Sequence, residues 1–166
     1  LDIPLSPISG QAFYEYGQLQ AEKHRYKPAV VWLLRAHDWF SKAKQPVTFS
    51  ILMVLMRCYL SLNMYEQAFQ MAEAIAKHPR AMTAPKDWTE GLSEAIRLAI
   101  DLFQIQKAEP WLALFAEQDD ASVVAMLSEK IQLSKQRLSR AVEISPVRGF
   151  PFLEAKKYEQ LLFDAK

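Results

Sequence analysis

Three short segments of this 166-residue chain repeat one another: Tyr26-Lys27-Pro28-Ala29, Tyr65-Glu66-Gln67-Ala68 and Ile105-Gln106-Lys107-Ala108, their alanines 39 and 40 residues apart. A recurrence of this kind constrains architecture more than composition does, because each copy must be one supersecondary unit that buries its apolar face only by stacking on its neighbours. Each tetrad opens what reads as the second helix of a helical hairpin. Alanine has a mechanical reason to be there: the two helices of a hairpin cross closely near their turn, and a methyl-sized side chain lets the backbones approach.

The nine prolines segment the rest, since proline lacks a backbone donor and clashes inside a helix but is welcome in a first turn or a connection. Pro4 and Pro7 precede a first helix, Pro28 opens a second, Pro46 precedes a third, Pro79 and Pro85 bracket a loop, Pro110 opens a further helix, and Pro146 and Pro151 flank the last connection. Apolar residues at spacings of three and four predict eight helices: 9–22, 26–43, 47–62, 65–78, 87–105, 108–117, 121–144 and 151–164. No segment alternates as a strand would. The second helix has a wide apolar face, and the third, Ser50 to Leu62, is apolar nearly all round, which places it at the centre of the fold. Asp87 with Glu90 three residues on reads as a capping box, Asp119 or Asp120 as the cap of the next helix, and Lys77 with His78 as positive charge at a helix C-terminus.

Hydrophobic residues at 51% supply enough apolar surface to order a single domain without disulfides or metals. Twenty basic side chains against nineteen acidic ones leave no overall field to attract nucleic acid or an anionic membrane. The lone Cys58 cannot pair within the chain and reads as a small buried hydrophobe, which points toward a cytoplasmic setting. Ile51 to Leu62, the longest apolar run, is interrupted by Arg57 and too short to cross a bilayer, so no transmembrane helix is expected. The start at Leu1 with no basic-then-apolar leader leads us to expect that an upstream piece was removed or that the chain is a portion of something longer.

No catalytic signature emerges from the residues. His24, His37 and His78 are far apart, no second His or Cys stands at a ligand spacing, and Cys58 has no activating neighbour, so neither a metal nor a thiol site is expected. There is no glycine-rich phosphate loop and no Gly-x-Ser-x-Gly elbow. Trp32, Trp39, Trp88 and Trp111 lie on or beside apolar stripes and read as packing residues rather than a stacking platform. The basic run Lys23 to Lys27 falls at a hairpin turn, where solvated charge is ordinary. The expectation is a protein that is not an enzyme and carries no cofactor.

Around the repeated alanines the chain resembles the tetratricopeptide repeat. Phe13, Tyr16, Gly17, Ala29, Leu33 and Ala36 match its pattern in the first unit, and Leu52, Leu55, Tyr59, Ala68 and Pro79 in the second, where Met56 replaces the small residue and Ala72 the large aromatic. The third unit, with Leu92, Ala95, Ile96, Ala108, Leu112 and Phe115, is degenerate. The spacing exceeds the roughly 34 residues usual for the family and approaches the roughly 40 of HEAT and armadillo units. The resemblance implies that the first helix of each hairpin lines a concave groove gripping a peptide. Carried over by register, it puts Tyr14 and Gln18, then Met53 and Arg57, then Glu90, Arg97 and Asp101 toward that groove. Arg57 and Arg97 fall at equivalent positions and would clamp an acidic peptide or a C-terminal carboxylate; as ordinary surface residues they would snorkel or pair.

Beyond residue 120, Val124, Leu127, Ile131, Leu138 and Ala141 form one stripe of a long amphipathic helix, read as a cap on the array or, alternatively, as a homodimer seam. The aromatic closing segment, Phe150 to Phe163, is expected to fold back on the core. The expected whole is all-α: a linker (1–8), a right-handed stack of three antiparallel hairpins (9–118), and C-terminal capping helices (119–166). The expected work is that of an adaptor, chaperone or regulatory scaffold binding another protein. Two alternatives stay open: a ligand-sensing or effector-binding domain of a larger regulator, and a helical enzyme whose site the sequence does not display.

Overall fold

The structure, a computed structural model, describes residues 7–44, 48–79, 83–117 and 121–147. These form seven helices and no strand. The helices are α1 (Pro7–Glu22), α2 (Tyr26–Lys42), α3 (Phe49–Ser61), α4 (Tyr65–Lys77), α5 (Pro85–Asp101), α6 (Ile105–Ala116) and α7 (Ala121–Val147). The eighth helix expected at 151–164, residues 1–6 of the linker expected at 1–8 and the caps at Asp119 and Asp120 lie outside the described residues; Pro7 and Ile8 belong to α1 rather than to a linker, because the fixed φ of proline suits a first helical position. The chain divides into two compact units, Leu1–Trp88 and Thr89–Lys166, with the boundary inside α5.

What makes the hairpins is a single turn built three times. His24, Asn63 and Phe103 all adopt the left-handed conformation, each at φ 57°. Around each, the same backbone bonds close the preceding helix. The amides of Arg25, Met64 and Gln104 donate to the carbonyls of Gln20, Tyr59 and Ala99 at 2.9, 2.9 and 2.7 Å. Those of His24, Asn63 and Phe103 donate to Ala21, Leu60 and Ile100 at 2.9, 3.0 and 3.0 Å. This is the six-to-one and five-to-two pairing of a Schellman motif, which satisfies carbonyls that a helix end otherwise leaves without donors. The chain then enters the next helix at once: the amides of Ala29, Ala68 and Ala108 donate to the carbonyls of Arg25, Met64 and Gln104. Those three residues serve as N-caps without any side-chain cap bond, because the preceding turn already sets the backbone direction. All three alanines are fully buried, as close helix crossing requires.

In the first unit α1 packs along α2, α3 along α4, and α2 against α3, with α1 also touching α3. Leu33, Ile51, Leu55, Met56 and Ile75 fill its interior. The approach of α1 to α2 depends on two glycines. A Cβ on Gly10 would lie 2.4 Å from Trp39 Cε3, and one on Gly17 would lie 2.8 Å from Leu33 Cγ, both inside van der Waals contact. In the second unit α6 packs against α7, burying Trp111, Phe115, Leu127 and Ile131, and Glu109 pairs with Lys135 across the two helices.

Two start signals read differently in three dimensions. Helix α5 begins at Pro85, whose fixed φ suits a first helical position, so Asp87 sits inside the first turn and acts on the helix dipole rather than as a capping residue. Pro110 does not open α6 but lies within it, because the turn at Phe103 has already started the helix at Ile105. Gln106 therefore has no amide donor four residues on. No helix among the described residues is long and apolar enough to cross a membrane.

Candidate protein-binding surface

The first helices α1 and α3 sit side by side in the first unit and carry four of the residues singled out by register. Tyr14 and Gln18, one turn apart on α1, are half-buried. On α3 the equivalent pair is split: Arg57 is exposed, whereas Met53 is buried and offers little surface to a ligand. The reason is packing, since α3 is covered by α2 and α4 and touched by α1, and an uncharged side chain at this register is drawn into the interior. In the second unit Glu90, Arg97 and Asp101 are exposed on α5 at spacings of seven and four, a single helical face. That face mixes two carboxylates with one guanidinium.

The tryptophans divide as their neighbours dictate. Trp39, Trp88 and Trp111 are buried, and Trp32 is half-buried. Around Trp32 an aromatic cluster spans α1 and α2: Phe13 lies 5.8 Å from it, Tyr16 meets it edge-on at 4.9 Å, and the Arg35 guanidinium sits 4.7 Å from the ring centre. Edge-on aromatic contact and a cation over a ring face are both favourable arrangements of the ring quadrupole. The sequence offered the residue types at helical spacing but not their convergence.

Burial, with no compensating partner charge, pushes the Cys58 thiol up to about 11. The thiol is therefore overwhelmingly protonated at neutral pH and a poor nucleophile. Burial also raises Tyr59, with neighbouring Cys58 adding to the effect. Among the described residues no group of three or more His, Cys, Asp or Glu converges to hold a metal ion.

One further concavity lies within the second unit. A cleft of about 370 Å³ runs between α6 and α7, lined by Leu112, Ala113, Ala116, Val124, Ile131 and Gln132. It uses part of the stripe on α7 anticipated as a cap or dimer seam: Leu127 and Ile131 are buried and Val124 half-buried, on the side that packs against α6. Exposed Met126 and Leu133 lie off that stripe. No family model matches this chain, and no curated protein is significantly similar to it.

Proposed function

We propose that this protein is an interaction module of tetratricopeptide-like hairpins whose first helices present a polar face to a partner peptide. The observation that supports this reading is the threefold recurrence of one turn, with alanine amides closing it at residues 29, 68 and 108. Chains that repeat a hairpin at fixed spacing gain extended surface in proportion to their length, and such arrays serve recognition. Exposed Arg57 on α3, at the register that Gln18 holds on α1, is the group suited to an acidic peptide, because a guanidinium pairs with a carboxylate through two parallel hydrogen bonds. Arg97 holds the equivalent place on α5. The test is titration with a glutamate-rich peptide bearing a free C-terminal carboxylate. Arg57→Ala and the double variant with Arg97→Ala should weaken binding by about tenfold or more while thermal stability holds. Unchanged affinity would remove the reading.

A further inference from the structure

One turn built three times shows which residues the turn needs and which it leaves free. Lys23, Arg25 and Lys27 stand where the second turn has Leu62, Met64 and Glu66 and the third has Leu102, Gln104 and Gln106. The backbone bonds are the same in all three, so the fold asks for no cation at any of these positions. All three cations are exposed, and none forms an ion pair with a described residue, whereas Lys42 at the far end of α2 reaches Asp38 at 2.9 Å. Glu22 offsets one of the charges and leaves a positive excess at the turn.

The place of this charge connects it to the surface of α1 and α3. The short links Lys23–Arg25 and Ala43–Thr48 join helices that pack together, so the chain reverses direction twice and α1 and α3 finish at one end of the first unit. Gln18 on α1 and Arg57 on α3 each lie about one turn before that end. Lys23 follows Gln18 by only about 7 Å along the helix axis. From this we infer that the turn at Lys23, Arg25 and Lys27 selects partner peptides whose acidic residues continue beyond the one held by Arg57. The inference rests on the peptide reading of the first helices and deepens it, since it gives the partner a run of carboxylates rather than one. Exposed charges act over about 8–10 Å at ordinary ionic strength, so a flexible acidic segment is favoured over a neutral one without a fixed pairing geometry. A second copy of the turn would oppose cation to cation and is disfavoured for the same reason.

The experiment titrates the full chain with two fluorescent peptides that share one glutamate-rich end with a free carboxylate and differ in the segment before it, glutamates in one and glutamines in the other. The glutamate-extended peptide should bind about fivefold to tenfold tighter at low salt, and the advantage should vanish in concentrated salt, because exposed charge is screened. Lys23→Gln with Arg25→Gln and Lys27→Gln should bring the two peptides within about twofold of each other and leave the thermal midpoint unchanged, since glutamine stands at two of these positions in the third turn. Lys27→Glu, which copies Glu66 of the second turn, should shift the preference in the same direction by a single change. Equal binding of both peptides to the native chain, or an advantage that persists in the triple variant, overturns the inference. So does a lowered thermal midpoint of that variant, which would assign the turn to another segment of this chain. Arg57→Ala should weaken both peptides alike. If it does while the extension brings no advantage, the inference falls and the peptide reading stands; if neither peptide binds, both fall.

Discussion

At Gly17 the size of one side chain decides whether two helices meet. The equivalent positions in the next hairpin hold Met56 and Ala72, both fully buried, so large and small residues have changed places between helices at the same register. Volume at a fixed crossing is thus conserved while its owner is not. Gly17→Ala should cost about 1–2 kcal/mol, the overpacking against Leu33 exceeding the gain in helix propensity. A thermal melt shows this as a lowered midpoint. Combining it with Leu33→Ala should cost less than the sum of the two changes, because the pair shares one space; strict additivity would mean the close approach is relieved elsewhere. Cys58 adds a pH dependence. Its folded thiol is raised above the ordinary value of 9.0 to about 11, so the folded state holds the proton more tightly. The associated stability is fully present below pH 9 and is lost as pH rises toward 11, with Tyr59 acting in the same sense. Cys58→Ala should flatten the part of this decline that belongs to the thiol, and alkylation of Cys58 should track unfolding rather than time.

At the scale of the element, the turns tolerate three unlike residues in a conformation that L side chains resist. His24 and Asn63 soften the cost by bonding the hydroxyls of Tyr26 and Tyr65 at 2.9 and 3.0 Å. Phe103 has Ile105 in that relation instead and keeps only the backbone bonds. Replacing exposed His24 with Gly should be neutral or stabilising by up to about 1 kcal/mol, whereas Asn63→Val should cost about 1–2 kcal/mol, because a β-branched residue fits this conformation poorly. Denaturant midpoints distinguish the two signs. The Glu109–Lys135 pair joining α6 to α7 is close to half exposed on both sides, and its removal by Lys135→Ala should change stability by less than about 1 kcal/mol. A larger loss would mean that the lysine stem, not its charge, holds the helices together.

For the whole molecule, the division at Trp88 and Thr89 predicts uneven resistance to opening. Compact units with interiors of their own open separately, so a lesion in one unit is felt locally. Amide exchange should therefore accelerate in α1 and α2 of Gly17→Ala while the slowest amides of α6 and α7 are unmoved; uniform acceleration would show that the chain opens as one body. The order of the helices, and the pairing of α1 with α2 and of α3 with α4, were legible in the residues, since the tetrads around Ala29 and Ala68 and the prolines near the helix starts act through local backbone geometry. Boundaries shifted by up to four residues: α1 starts at Pro7 rather than 9, α5 spans Pro85–Asp101 rather than 87–105, α6 starts at Ile105 rather than 108, and α7 runs through Pro146 to Val147 rather than ending at 144. What the residues left open was exposure. Tyr16 and Leu55, or Tyr14 and Met53, stand at one register and read alike, yet a neighbouring helix covers the later member of each pair more fully than the earlier. The chain by itself determined that it would fold into paired helices, because periodicity and turn chemistry are written within a few residues. Which faces stay open to a partner was decided only by the tertiary structure, because burial depends on what stacks alongside, and that neighbour lies dozens of residues away.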